Sequence, residues 1–88
     1  MPEILRLFGM KFFFYSREHE PIHVHVKNAD GKAKFEITED AVKLVYNHGL
    51  KNKDIRAAEM VLEENHDLAI AKWMEYFGHS IEGGENDD

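Results

Sequence analysis

The sequence predicts an α+β domain, an antiparallel sheet of three to four strands with two C-terminal helices, or one kinked helix, packed on one face. Three observations predict this class. Short apolar runs separated by turn residues fill the first half of the chain. Apolar residues recur at helical spacing in the second half. Strands and helices that follow each other in separate runs are typical of α+β domains.

The first predicted element is a single long strand over residues 4–15. This stretch is rich in aromatic residues and has too few polar residues for an exposed surface. Gly9 lies in its middle, where a glycine is expected to mark a β-bulge or a bend. The three consecutive phenylalanines near its end are expected to belong to the core and the sheet surface.

A hairpin is the next predicted element. Residues 22–27 and 32–38 alternate apolar and polar side chains, which indicates two half-buried strands. Between them lie Asp30 and Gly31, a pair that tolerates positive φ and favours a tight turn. The two strands are therefore expected to be neighbours in the sheet.

A fourth strand and the helical layer complete the prediction. Residues 42–46 predict a strand, and residues 47–49 a loop that leads to the helices. Asn52 is the expected N-cap of the first helix. The apolar pattern breaks near Asn65, which indicates either two helices that meet there or one helix that is kinked. Gly78 is the expected C-terminal end of the helical layer.

The composition indicates one globular domain. Of the 88 residues, 43% are hydrophobic and 32% are charged, and there is no cysteine, so disulfides and thiolate metal sites are excluded. The domain is expected to cover residues 1–79, and residues 80–88 are expected to form a disordered acidic tail. No secretory signal or membrane-spanning run is visible, and a cytoplasmic location is therefore expected.

The charge is divided unevenly along the chain. The net charge is −6, which argues against binding to long DNA, because such affinity depends on lysine and arginine side chains that neutralise phosphates. Residues 1–34 nevertheless carry +2, and the remaining residues carry −8. The first part of the chain is therefore the part suited to an acidic ligand.

The main functional signal is the stretch over residues 18–26, which holds three of the six histidines. His23 and His25 alternate with valines, so on a strand both imidazoles point to the same side. Pro21 stiffens the chain just before them and is expected to fold His19 back towards them. The three histidines are therefore expected to meet at one water-accessible place.

Several stretches together resemble a known family of small bacterial proteins: Met1-Pro2-Glu3-Ile4, Phe8-Gly9, Glu18-His19-Glu20-Pro21-Ile22-His23-Val24-His25-Val26, and the helical end with Trp73. That family is catalogued as domain of unknown function 4160. Its central pattern is acidic-His-x-Pro-x-His-x-His, usually with Asp first and often with a second proline before the middle histidine. Glu18 and Ile22 depart from this pattern, and the proline and all three histidines match it.

The resemblance implies a partner more clearly than a reaction. Such proteins are commonly encoded beside a second small protein, and some members, of the DhiT type, are described as the toxin half of a toxin–antitoxin pair. The resemblance therefore implies a small antitoxin-like protein partner for this chain. It carries no settled chemistry.

One interpretation of the histidines is a divalent metal site, with zinc as an example. Two imidazoles that are two residues apart on a strand lie about 6.6 Å apart along it, and they can converge on one ion. Two histidines alone bind zinc weakly, so a third ligand is required. The candidate ligands are His19, His23, His25 and Glu18. Without such a site, no cofactor is expected.

A second interpretation is acid–base chemistry on RNA. Attack of a 2′-hydroxyl on a phosphodiester needs a base, an acid and a nearby cation. His19, His23 and His25 are the candidate catalytic residues, since imidazoles titrate near neutral pH. Arg17, Lys27 and Lys34 are the candidate substrate-binding residues.

Two further interpretations stay open. The histidines can play an ordinary structural role, through hydrogen bonds to Glu36 or to the backbone. Alternatively, the protein is a non-enzymatic interaction module that uses an exposed sheet face or a free strand edge to bind another chain.

Overall fold

A computed structural model describes residues 2–15, 19 and 21–81, without the side chains of residues 79–81. It contains five strands and two helices in the order β1 (Glu3–Leu7), β2 (Met10–Phe13), β3 (His23–Lys27), β4 (Lys32–Ile37), β5 (Val42–His48), α1 (Asn52–Glu64) and α2 (His66–Ile81). The strands form one antiparallel sheet in sequence order. The predicted α+β class is confirmed, but the sheet has five strands rather than three to four.

The extra strand arises because residues 4–15 form a hairpin instead of one long strand. Phe8 and Gly9 have φ angles of 55° and 73°, and they form a two-residue turn between the paired residues Leu7 and Met10. Positive φ at both central residues is the pattern of a type I′ turn, whose twist matches that of the flanking strands. A phenylalanine rarely adopts this conformation, which is why the sequence predicted a bulge or bend at Gly9 instead of a turn.

The core lies between one face of the sheet and the two helices. It consists of apolar residues that alternate along the strands, together with the inward stripes of both helices: Met10, Phe12, Phe14, Val24, Val26, Ala33, Phe35, Ile37, Val42, Leu50, Ala58, Val61, Leu62, Ala69 and Trp73. Alternation on each strand sends the intervening side chains to the opposite face. That opposite face therefore carries the polar and charged residues of the sheet.

The predicted turn between β3 and β4 is present, but Gly31 is needed there for a different reason. The Asn28 side chain accepts hydrogen bonds from the backbone N–H groups of Asp30 and Gly31, at 2.8 and 3.1 Å. The φ of Gly31 is not positive. A Cβ at Gly31 would lie only 2.0 Å from the carbonyl oxygen of His48, so glycine permits the close approach of this turn to the end of β5.

The fifth strand is longer than predicted, since β5 continues through Asn47 and His48. The prediction of a loop over residues 47–49 is therefore wrong for its first two residues, which pair with β4. Asn47 then holds the exit from the strand, because its side-chain amide both donates to and accepts from the backbone of Leu50, at 2.9 Å each. His48 is consequently fixed on the sheet.

The helical layer consists of two helices that meet at Asn65. The Asn65 side chain donates to the carbonyl of Val61 at 2.8 Å and closes the end of α1. Helix α1 begins at Asn52, and its N-cap is Lys51, whose side chain makes no capping hydrogen bond. The predicted N-cap, Asn52, is therefore one residue too late in the chain. Helix α2 continues past Gly78 to Ile81. Most of the expected tail, residues 82–88, lies outside the described residues. No helix in the described part of the chain is both long and apolar enough to cross a membrane.

Candidate functional site

The face of the sheet that lies away from the helices is here called the outer face. Residues directly opposite each other on neighbouring strands share a face, so the register of the four strand pairs arranges the outer-face residues in rows across the sheet. The first row, the cationic row, contains four basic residues and one histidine: Arg6, Lys11, Lys27, Lys32 and His48. It crosses all five strands.

A second row lies two residues away on each strand and is called the aromatic row. On β2 to β5 its members are Phe13, His25, Lys34 and Tyr46, and on β1 Glu3 is directly opposite Phe13. The ring of Tyr15 contacts the ring of His25, with 4.4 Å between the ring centroids. The two rows are about 6.6 Å apart at the usual rise of a strand. Aromatic and imidazole rings therefore lie beside a line of positive charge.

The two strand histidines are brought together, as their alternation predicts. The ring centroids of His23 and His25 are 5.2 Å apart, and the planes are nearly perpendicular. The ring of Phe13 stacks on His25 at 5.6 Å, and the ring of Trp73 from α2 lies 5.3 Å from His23. Each histidine is only 7% exposed. The pair thus links the outer face to the helical layer and is more enclosed than the expected water-accessible cluster.

A backbone contact fixes the protonation of one His23 nitrogen. Nδ1 of His23 lies 2.7 Å from the carbonyl oxygen of Pro21. Because a carbonyl oxygen can only accept, Nδ1 must carry the hydrogen and donate it. The neutral ring therefore carries its hydrogen on Nδ1 and not on Nε2. Pro21 therefore orients the His23 ring as well as stiffening the chain.

The third histidine of the motif is not part of this pair. His19 is exposed, and it makes no ring contact with His23 or His25 among the described residues. Within the same residues, no three histidine, aspartate or glutamate side chains lie close enough together to hold a metal ion. Glu18 and Arg17, the other candidates from the motif, lie outside the described residues.

Two of the predicted substrate-binding residues lie on the outer face. Lys27 is exposed in the cationic row, and Lys34 lies in the aromatic row directly opposite His25. Glu36, a suggested hydrogen-bond partner, is directly opposite His23. The histidine pair therefore has one basic and one acidic neighbour on β4.

Sequence reasoning did not identify a groove of about 620 Å³ at the edge of the outer face. It is lined by basic and aromatic side chains, with Asn28 from the β3–β4 turn: Arg6, Lys11, Lys27, Phe13 and Tyr15. The hairpin at Phe8 and Gly9 creates this groove, because it brings Arg6 opposite Lys11. Nε of Arg6 also donates to Oε2 of Glu3 at 2.9 Å, and this contact lowers the pKa of Glu3. The only sequence signal was Gly9 within an apolar run.

A second cavity, of about 380 Å³, lies beside the junction of the helices and is acidic. Glu39, Asp40, Glu63 and His66 are among its lining residues. Nε2 of His66 donates to the carbonyl of Thr38 at 2.5 Å, and Nδ1 lies 3.3 Å from a carboxylate oxygen of the adjacent Asp67. The carbonyl of Thr38, followed by the Asp67 carboxylate, raises the pKa of His66. This histidine joins the β4–β5 turn to the start of α2.

Comparison with protein families gives a match that spans most of the fold. The family model described as "Domain of unknown function (DUF4160)" matches residues 9–74, well over half of the chain. The chain belongs to the DUF4160 family. The resemblance inferred from the histidine motif is thus confirmed at the level of the family. Within this DUF4160 chain the match runs from the β1–β2 turn into α2, so it includes His23, His25 and Trp73. Arg6 lies outside it.

Comparison with curated proteins and with solved structures finds no match.

Proposed function

We propose that this DUF4160 protein acts on RNA in the bacterial cytoplasm, as the toxin half of a pair of the DhiT type. A small antitoxin-like protein is its partner. The observation that carries the proposal is the contact of the His23 and His25 rings at 5.2 Å, on the face that also carries the cationic row. Proton-transfer groups beside a phosphate-binding surface are what RNA cleavage without a metal requires.

The chemistry assigned to the pair is transfer of the phosphodiester to the neighbouring 2′-oxygen. A base removes the proton of the 2′-hydroxyl, the 2′-oxygen bonds to phosphorus, and the bond from phosphorus to the 5′-oxygen breaks. An acid then protonates the leaving 5′-oxygen, which gives a 2′,3′-cyclic phosphate and a 5′-hydroxyl. His23 is assigned the role of the base, since its ring contacts that of His25 and is oriented by its hydrogen bond to Pro21. His25 is the acid, and Lys34 stabilises the charge on phosphorus oxygens.

Access to the pair requires a local movement. Each histidine is 7% exposed, and the Tyr15 ring contacts the ring of His25. Tyr15 itself is 40% exposed, lies just beyond the end of β2 and is not a member of the buried core. RNA that binds in the adjoining groove would displace this ring and expose the imidazole edges.

The test is cleavage of a short single-stranded RNA by purified protein, with products identified by mass spectrometry. The wild type is expected to give 2′,3′-cyclic phosphate ends, and a substrate with 2′-deoxy sugars is expected to stay intact. His23→Gln and His25→Gln should each lower the rate by about 100-fold or more. His66→Gln, which alters a histidine at the helix junction, is the matched control and should cleave like the wild type.

Two results would refute the proposal. One is an RNA that the wild type leaves intact under conditions in which the protein is folded. The other is cleavage that persists at the wild-type rate in the double variant of His23 and His25, which would identify a contaminating nuclease.

A non-enzymatic interaction module is the second candidate, and one observation favours it. Strand β5 is an edge strand of the sheet, and its Leu44 and Val45 are 45% and 51% exposed. An edge strand with exposed apolar residues can pair with a strand of another chain. Size-exclusion chromatography with light scattering, on the wild type and Val45→Lys, tests this role. A complex with a second copy, or with the small protein encoded beside this one, would support this role if Val45→Lys abolishes it. The role would be excluded if the wild-type protein stays monomeric at all concentrations, both alone and when mixed with that second protein.

A further inference from the structure

The cationic row is the most unusual feature of the outer face. Lys11 is directly opposite Lys27, and Lys27 is directly opposite Lys32. Three lysines therefore lie side by side on three adjacent strands. Like charges in directly opposite positions destabilise a sheet. Nothing in the packing of the core requires these residues, because they point away from it.

The described part of the chain offers these three lysines little compensation. No carboxylate of a described residue lies within ion-pair distance of Lys11, Lys27 or Lys32. Among the described residues, the one aromatic contact of these lysines is that of Lys11, whose Nζ lies 5.6 Å from the centre of the Phe13 ring. Glu3 forms an ion pair with the arginine at the end of the row, and among the described carboxylates it also attracts Lys11 at longer range. A line of positive charge that described carboxylates balance only at its β1 end is suited to a ligand with a line of negative charge.

The length and direction of the row restrict the form of that ligand. Five strands give four strand spacings of about 4.8 Å, so the row extends for about 19 Å across the sheet. The charges of the cationic row form a line one residue wide rather than a broad patch. An extended polymer with regularly spaced anionic groups matches this shape better than a compact anion does.

The aromatic row favours a nucleic acid over an acidic peptide. The ring of Tyr46 stacks on that of His48, with 4.6 Å between centroids and an angle of 26°. Tyr15, which is 40% exposed, provides a second ring on the other side of the sheet face, beside the groove. Bases stack on such rings in a sequence-tolerant way, and their faces are available only in a single strand.

We infer that a single-stranded RNA crosses the outer face at right angles to the strands, with phosphates along the cationic row and bases on Tyr15 and Tyr46. This inference rests on the proposed function for the choice of RNA as the nucleic acid, but binding along the row does not depend on cleavage. It assigns ligand-binding roles to Arg6, Lys11, Lys32 and both tyrosines. The polymer would also pass beside His25, which shares the aromatic row with Tyr46 and contacts the ring of Tyr15.

The test measures binding of a fluorescein-labelled single-stranded RNA by fluorescence anisotropy at several salt concentrations. The triple variant Lys11→Gln, Lys27→Gln, Lys32→Gln should weaken binding by about tenfold or more. It should also reduce the slope of log Kd against log salt by about 2, since each phosphate contact on a single strand contributes about 0.7. The control variant removes three positive charges from the helical layer instead: Lys53→Gln, Arg56→Gln and Lys72→Gln.

A second pair of variants tests the stacking. Tyr46→Ala should weaken binding by about tenfold without changing the salt slope, because stacking releases no counterions. Tyr76→Ala is its control, since Tyr76 is an exposed tyrosine on α2. Circular dichroism checks that every variant is folded.

The outcomes separate this inference from the proposed function. RNA that binds along the row and is not cleaved supports the inference and refutes the proposed chemistry. The inference would be overturned if the two triple variants lost RNA affinity equally, or if neither of them lost RNA affinity. Binding of duplex RNA or of polyglutamate as tightly as single-stranded RNA would also overturn it, because neither presents accessible base faces.

Discussion

Lys27 and Lys32 lie directly opposite each other at the end of the β3–β4 hairpin, and both side chains are exposed on the outer face. Opposite charges at such a position would stabilise the sheet, and two like charges destabilise it. The hairpin therefore carries an electrostatic cost that its turn and its buried face must offset. A site that binds an anion gives a reason for this cost.

Reversing one charge of this pair should stabilise the protein. Lys32→Glu replaces a repulsion by an attraction, and we expect the free energy of unfolding to rise by about 0.2–1 kcal/mol at low salt. Denaturation with urea measures this change in the free energy of unfolding, because urea leaves the ionic strength unchanged. The gain should shrink in high salt, where exposed charges are screened. Lys32→Gln is the control, because it removes the repulsion without adding an attraction, and a gain equal to that of Lys32→Glu would mean that attraction to Lys27 contributes nothing.

Gly31 should be intolerant of any side chain. Gly31→Ala would place a Cβ 2.0 Å from the His48 carbonyl oxygen, so the turn or the end of β5 must move. We expect a loss of about 1–3 kcal/mol in the free energy of unfolding, measured by chemical denaturation. Gly78→Ala is the opposite case, because a Cβ there meets nothing within 4 Å and lies within α2. It should stabilise by up to about 1 kcal/mol, and a loss of the same size as at Gly31 would contradict this account.

The stability of the helix junction should depend on pH through His66. The carbonyl of Thr38 and the carboxylate of Asp67 favour the imidazolium, so the pKa is higher in the folded protein than the value of about 6.5 in the unfolded chain. The stabilisation that protonated His66 gives to the fold is therefore complete below about pH 6.5. It is lost as the pH rises through the pKa of His66 in the folded protein.

The measurement is the difference in free energy of unfolding between wild type and His66→Gln across this pH range. The difference should be largest at the acidic end and should decrease as the pH rises. A difference that grows with pH, or that does not change, would show that the contacts of His66 do not favour its charged form.

Among the residues of the helical layer, Trp73 should be the one whose substitution lowers the free energy of unfolding the most. Its fully buried ring contacts Phe14, Phe77 and His23. We expect Trp73→Ala to lower the free energy of unfolding by about 3–5 kcal/mol, as measured by circular dichroism during denaturation. Trp73→Phe should cost clearly less, because a ring remains and because the buried Nε1–H has no acceptor among the described residues.

The matched control for this position is Met74→Ala, since Met74 is the next residue of α2 and is exposed. It should change the free energy of unfolding by no more than about 0.5 kcal/mol. If Trp73→Phe were as damaging as Trp73→Ala, the indole N–H would have to make a hydrogen bond that stabilises the fold.

Local patterns were sufficient to predict several elements. Alternation along β3 and β4 and the apolar spacing in α1 are one-dimensional signals, and both were interpreted correctly. The turn at Phe8 and Gly9 was missed, because the first of its two left-handed residues is a phenylalanine. The longer β5 was missed because Asn47 and Gly49 are typical of loops, and pairing with β4 outweighs that preference.

The sequence by itself determined that His23 and His25 share one side of a strand, because side chains on a strand repeat every two residues. Only the tertiary structure decided that Trp73 encloses His23 and that Lys11, Lys27 and Lys32 form one line. The physical reason is that strand register and helix docking depend on turn conformation and on contacts between residues far apart in the chain, which no local pattern encodes.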